Sequence, residues 1–460
     1  MKNKLIYTLL ILIVLSACSK DFLDMKPSSS IVQPTTLEDM EGLLENYGVM
    51  NSISPALGQL SSDEYFIVDQ KAWESTLTQT ERRAYIWEKD IYNGDINIMD
   101  WNKPYAAIFY ANSIIDQMSK LSSVKDTRRH NNLLGWAYFA RSYAYYELAR
   151  NFCKYYDINT ANVDLGLPLK LSPNVDEVVQ RSSLAETYNF IMTDLEKATQ
   201  LLDANDYISK RNHASKASCY ALAARIHHAV GNYSQALLYA DSTLAIHNNL
   251  VDYNSVSLSS QTPFTYVMDE VIYFSTQVNN YAGTTGYLNR TAVGVDTQLY
   301  GMYKPNDLRK EIYFMRNSLG NYNVKRGYLG GGSYPFTGLA TDEIYLIKAE
   351  CLIRSGSDAS AIKVMNDLLI RRYAKGKYNP IESMDSKALL ALILDERRKE
   401  LVWRGLRWTD LKRLNKEGGG IELKRQVGAQ NFTLPANGNR YTFPIPDDEI
   451  AFSHIMQNER

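Results

Sequence analysis

Histidine and cysteine are scarce in this chain, six and four among 460 residues, and their spacing excludes the commonest metal and thiol chemistries. The histidines (His130, His213, His227, His228, His247 and His454) form no HExxH and no pair four apart. His227 and His228 point about 100° apart on a helix, so they cannot clamp one ion together. Asp95 and Asn97 open something like a calcium loop, but Asp100 stands where its sixth-position glycine is required. No metal and no cofactor is expected. An excess charge is lacking too: 50 basic and 51 acidic residues leave a net charge of -1, which gives no support for a nucleic-acid partner. There is no GxSxG, no nucleophilic cysteine context and no dinucleotide fingerprint, and the run Gly330–Gly332 has no GK[ST] behind it. A glycosidase needs only two suitably spaced carboxylates, so a surface hydrolase stays open as a rival to the expected non-catalytic protein.

Long apolar runs are also missing, apart from one near the start. Lys2 and Lys4 precede an apolar stretch from Leu5 to Ala17, ending in LSAC at 15–18. It is too short for a comfortable membrane span, and small residues stand directly before a cysteine. Residues 1–17 therefore read as a lipoprotein signal peptide. Acyl chains on Cys18 would then hold the protein on a membrane leaflet, each buried CH₂ contributing about 0.8 kcal/mol. The other cysteines, Cys153, Cys219 and Cys351, sit in helical patterns without CxxC spacing. Buried free thiols are expected, with one disulfide among the three as the alternative.

What the chain has in plenty is tyrosine, 33 residues of it, and helical periodicity. Residues 101–118 place Trp101, Tyr105, Ile108, Asn112 and Ile115 on one face, so Trp101 reads as core. Residues 131–152 are apolar nearly all round, which predicts a buried helix, and Ser183 to Leu202 reads as an amphipathic one. Residues 220–244 repeat at 345–369: Ala224, Gly231 and Ala236 align with Ala349, Gly356 and Ala361. That is the helix-turn-helix spacing of tetratricopeptide repeats, in which small residues let two helices approach and the glycine turns the chain. The predicted fold is all-α: a tetratricopeptide-like helical repeat scaffold of about four helix pairs, two of them from 101–202, with long irregular insertions and a few short strands. A single domain is expected over 18–460, with repeats within 101–247 and 341–373. Aromatic-rich insertions occupy 63–100 and 248–340, the latter with eleven tyrosines, and a charged segment with the C-terminus occupies 386–460. EVIYFS at 270–275 reads as a short strand.

The stretch 395–413, DERRKELVWRGLRWTDLKR, reads as one charged helical run. Glu400 is expected to pair with Arg404 at i,i+4, and Leu401 and Trp408 lie seven apart on an apolar stripe. Trp403 and Trp408 need cover, so the charges are expected to satisfy one another where this segment docks.

This stretch resembles the C-terminal signature of the SusD/RagB family of surface nutrient-binding lipoproteins. Glu396, Arg397, Glu400, Leu401, Gly405, Arg407, Asp410, Leu411 and Arg413 match it. Arg404 departs, standing where the family usually has an acidic residue. Phe22, Leu23, Asp24 and Pro27 resemble the start of the mature proteins, and FPIPDDEI at 443–450 with Gln457 and Asn458 resembles their close, although Glu459 stands where proline is common. Asp307 and Arg309 form a family-like D-x-R. The resemblance implies a lipoprotein facing the cell exterior that binds glycan and sits as a lid on a SusC-like TonB-dependent outer-membrane transporter. A RagB-like peptide-capturing lipoprotein and a tetratricopeptide protein-interaction scaffold are the alternatives.

A sugar presents apolar C–H faces and polar edges, so its site should combine aromatic platforms with polar groups at the rim. The two aromatic insertions fit that need. Trp73, Trp87, Tyr92, Tyr281 and Tyr287 are the expected stacking platforms, and Asp69, Asn279, Asn280 and Arg290 the expected hydrogen-bonding groups.

Overall fold

The computed structural model describes residues 34–75, 78–121, 127–203, 210–286 and 290–460. Cys18, Tyr287 and the Phe22–Pro27 motif lie outside them. Helices dominate: α1 (Leu37–Leu44), α2 (Met99–Lys120), α3 (Thr127–Phe152), α4 (Leu184–Leu201), α5 (Lys216–Ala229), α6 (Tyr233–Ile246), α7 (Thr341–Arg354), α8 (Asp358–Leu369), α9 (Ser386–Glu400) and α10 (Arg407–Lys416) are the principal ones. Local chemistry starts several of them. Ser183 and Glu186 exchange side-chain-to-backbone bonds in a capping box ahead of α4, and the Asp385 side chain accepts from the N–H groups of Lys387 and Ala388 ahead of α9.

The repeat at offset 125 is present as two superposable turns. Gly231 (φ 75°) ends α5 and Gly356 (φ 78°) ends α7. In each the next N–H reaches back five residues, Asn232 to the His227 carbonyl (2.8 Å) and Ser357 to the Leu352 carbonyl (2.9 Å). This is the αL helix stop that glycine adopts without steric cost. Ala224, Ala236, Ala349 and Ala361 are all fully buried, where small side chains let α5 approach α6 and α7 approach α8. Where two further pairs were expected, between 101 and 202, the chain forms α2 and α3 as one antiparallel pair and then a third long helix, α4. Residues 153–183 instead make an irregular connection with the small hairpin Leu165–Pro168 with Arg181–Ser183. Neighbours in sequence pack in space, α2 on α3, α3 on α4, α4 on α5, and onward to α7. The α3 helix is buried through most of its length, as its sequence requires, and Tyr143, Tyr145 and Tyr146 are each fully enclosed.

The two aromatic insertions meet in a second core rather than on the surface. Tyr65, Tyr85, Tyr253, Phe264, Tyr303, Phe314, Tyr328, Phe336 and Trp403 pack together there. Short ladders hold it: Tyr65–Ile67 runs antiparallel to Val293–Val295, and Phe314–Arg316 to Tyr322–Val324. The expected strand appears as Val271–Tyr273. Tyrosine suits this core because its ring is apolar while its hydroxyl satisfies buried polar partners: the Tyr328 hydroxyl donates to Glu270 at 2.6 Å and Tyr253 meets Tyr313 at 2.8 Å.

The charged signature is not one helix. α9 ends at Glu400, the chain turns through Trp403 (φ 61°) and Gly405 (φ 66°), and α10 begins at Arg407. The expected Glu400–Arg404 pair is absent because the turn carries Arg404 to Asp342 (3.0 Å) instead. Glu400 binds Arg309 (2.8 Å) and Arg372 (2.6 Å), and Arg309 also binds Asp307 (2.7 Å) and Glu396 (2.7 Å). Arg397 holds Asp410 at 2.9 Å and Arg413 holds Glu350 at 2.6 Å. The charges do satisfy buried partners, mostly from distant segments, and so join α9 and α10 to both cores. Trp403 and Trp408 are buried as expected. The three cysteines are free and buried.

Candidate ligand-binding site

The ladder Tyr65–Ile67 with Val293–Val295 continues through the bond from Val68 N–H to the Ala292 carbonyl (3.1 Å). It therefore brings Asp69 and the helix Gln70–Ser75 alongside Arg290. Asp69 caps that helix, accepting from Ala72 N–H at 2.7 Å. Trp73 is half-buried, and its indole N–H donates to the Arg82 carbonyl at 3.2 Å. Arg290 is pinned by its backbone, which donates to Asn323 Oδ1 (2.9 Å) and accepts from Asn317 Nδ2 (2.9 Å). Its guanidinium lies against Gly286, where a Cβ would come within 3.0 Å of Nη2. Three of the expected residues thus share one end of a ladder.

Three others are corrections. Trp87 is buried with its indole N–H donating to the Ser61 carbonyl (2.9 Å). Tyr92 is buried with its hydroxyl on the Pro444 carbonyl (2.8 Å), and Tyr281 with its hydroxyl on Asp100 Oδ2 (2.9 Å). Each polar tip is used inside the protein; the rings of Tyr92 and Tyr281 are enclosed and offer no face to a ligand, while Trp87, almost wholly buried, lines the wall of a cleft. Asn279 is exposed beside Ser52, whose hydroxyl donates to its Oδ1 at 3.1 Å, while Asn280 Oδ1 accepts from Tyr281 N–H at 3.0 Å. These two sit at the far end of the connection that leads to Arg290.

Of the expected residues, Trp87 lines this cleft of about 860 Å³, otherwise missed by sequence reasoning, formed where the ladder faces α9 and the hairpin Leu423–Val427 with Gln430–Leu434. Phe66 is its half-buried aromatic, packed against Gly294, where a Cβ would sit 2.6 Å from the ring. Gln298 and Gln426 are exposed amides that line it from different elements. Asp63 forms a fork with Arg407 (2.7 Å) and a second contact to Arg398 (3.1 Å). Burial alone would raise its carboxyl, but the two guanidiniums outweigh that and hold it at about 2. The cleft thus combines the half-buried Phe66 and the more deeply buried Tyr65, Tyr85 and Trp87 with amides and internally balanced charges. The sequence pointed to Trp87 but not to the cleft, since pairing partners across 228 residues of sequence, such as Phe66 and Gly294, are not written in either segment. Among the described residues no cluster of histidine, cysteine or carboxylate side chains could hold a metal ion.

Two family profiles match the chain: "Starch-binding associating with outer membrane" over residues 21–227 and "SusD family" over residues 268–459. SusD-like protein P2 of Formosa agariphila is 25% identical over 422 residues, 78% of this chain and 79% of the relative. Among solved structures, a SusD superfamily protein from Bacteroides thetaiotaomicron superposes with a TM-score of 0.73 at 21% identity, covering 92% of this chain and 100% of that one. A SusD-like carbohydrate binding protein from Bacteroides vulgatus gives 0.66 at 20% identity, over 91% and 97%. The helical repeats, the buried signature at 396–413 and these matches agree: the chain belongs to the SusD/RagB family.

Proposed function

We propose that this protein is a non-catalytic, lipid-anchored carrier that captures an oligosaccharide at the cell surface and delivers it to a TonB-dependent outer-membrane transporter. The anchor would be Cys18. The observation that carries the reading is the cleft of about 860 Å³ with Phe66 as platform and Gln298 and Gln426 as rim, inside a chain of a family described as outer-membrane-associated and starch-binding. Its volume lies within the roughly 300–1,000 Å³ of ligand pockets. The ladder end with Asp69, Trp73 and Arg290 continues from the Phe66 strand. Amides and balanced charges suit hydroxyl-rich ligands, since each hydroxyl both donates and accepts.

Calorimetric titration of the chain beginning after Cys18, against plant, host and microbial polysaccharides alongside mixed peptides, tests the reading. Saturable heat with a glycan, lost when Phe66 and Trp73 are both changed to alanine in a folded protein, is the expected result. Heat with peptides alone would replace the glycan with peptide cargo. Co-purification of a transporter with the anchored protein tests delivery.

A further inference from the structure

A second concavity, of about 370 Å³, lies along α2 and shares no residue with the cleft above. Its floor is aromatic. Tyr105 and Phe109 stand one helical turn apart, and Tyr110 sets its ring at 70° to that of Phe109 with centroids 6.2 Å apart; all three are half-buried. Tyr105 is held in place by its hydroxyl, which donates to the Pro168 carbonyl at 3.0 Å. The opposite wall, residues 170–175, is tied back to the helix by Asn112 Nδ2, which donates to the carbonyls of Lys170 (3.0 Å) and Ser172 (3.3 Å). The concavity is therefore built from a fixed helix and an anchored wall.

Its polar groups are spare. Among the described residues the exposed Asn102 amide has no side-chain hydrogen bond, and Lys170 meets no carboxylate, its Nζ lying 5.8 Å from the Tyr105 ring centroid. Asn174 uses only its oxygen, accepting from Asp176 N–H at 3.1 Å. Glu449 takes one long bond from the Trp101 indole at 3.4 Å. An apolar ligand would leave these amides and charges unpaired in a narrow space. An anionic one would meet Glu449 as well as Lys170. We infer that this groove is a second glycan-binding site, taking a neutral oligosaccharide whose C–H faces lie on Tyr105 and Phe109 while its hydroxyls reach Asn102, Lys170, Asn174 and Glu449.

The inference rests on the glycan-carrier reading, and the test separates the two. Bound maltotriose, cellotriose, mannotriose and xylotriose are counted by native mass spectrometry and calorimetry. The wild type, Phe66→Ala/Trp73→Ala, Phe109→Ala, and Asn102→Leu at its exposed position are compared. Two trisaccharides on the wild type are expected, one of them lost in Phe109→Ala. Asn102→Leu, which leaves the rings and the fold untouched, should weaken only that one, by about threefold to tenfold. One trisaccharide that survives Phe109→Ala and Asn102→Leu but not Phe66→Ala/Trp73→Ala overturns the groove and keeps the carrier. Two that both survive Phe109→Ala and Asn102→Leu likewise overturn the groove. No trisaccharide bound, while mixed peptides bind, overturns both.

Discussion

Arg372→Met should be among the most damaging single changes in this protein. Arg372 is fully buried in the second core, where Nε donates to Glu400 (2.6 Å), Nη2 to Glu270 (2.8 Å) and Nη1 to the Val251 carbonyl (2.8 Å). Its guanidinium also lies 4.0 Å from the Tyr253 ring centroid. Methionine fills comparable volume but leaves Glu270 and Glu400 facing each other without the cation between them. Removing one partner of a buried pair costs about 3–5 kcal/mol, and the neighbouring Arg309 still covers Glu400, so the lower half of that range is expected at neutral pH. The pH dependence is the sharper part. Burial already pushes Glu270 up to about 7, against the pull of Arg372, from an unfolded value near 4.5. A group whose folded value is raised stabilises below its unfolded value, and that contribution is lost as pH rises towards the folded one. Without Arg372 the folded value rises further, so the variant loses additional stability towards pH 8, whereas at pH 5 Glu270 is protonated in both proteins. The difference between wild type and variant should therefore widen from pH 5 to pH 8. Guanidinium unfolding at the two pH values measures it, with Arg371→Met at the exposed neighbour as a control expected to stay within about 0.5 kcal/mol. A loss below about 1 kcal/mol at pH 8, or one equal at both pH values, would refute the network as drawn.

Gly356→Ala should cost about 1 kcal/mol from its left-handed backbone alone, since a Cβ there meets open space. Gly231→Ala should cost more, because its Cβ would lie 3.2 Å from the Tyr155 hydroxyl; thermal unfolding of the two variants ranks them. Asp385→Ala should lose about 1 kcal/mol through the α9 cap, read by the same assay. Burial pushes the Cys153 thiol up to about 11 and those of Cys219 and Cys351 to about 12. Native protein at pH 8 should leave all three unmodified by a thiol reagent, and denaturant should release all three; mass spectrometry of the alkylated chain decides.

Some features were legible because their cause is local. The turn glycines at 231 and 356, the small residues beside them and the all-round apolar α3 each follow from a few adjacent side chains. The family resemblance was legible at Glu396, Arg397, Glu400, Asp410 and Arg413, whose charges meet buried partners. Their partners were not. A helical reading of 395–413 pairs Glu400 with Arg404, yet the helix ends at Glu400 and the chain then turns through left-handed Trp403 and Gly405, and a tryptophan at positive φ leaves no sequence signal.

The site divides in the same way. Composition determined that two segments are rich in aromatics with polar neighbours, and so that either could cover a core or present a face to a sugar. Which of these each ring does is decided only by long-range packing. The pairing of Tyr65–Ile67 with Val293–Val295 leaves Trp73 and Phe66 at the surface, while Trp87, Tyr92 and Tyr281 turn inward to carbonyls and a carboxylate far along the chain. A tyrosine has the same apolar ring and the same hydroxyl in both settings. Its own sequence thus carries no information about whether water or a distant backbone oxygen will meet that hydroxyl. The chain alone determined the helical scaffold and the family; the tertiary structure decided which aromatics remain free to bind.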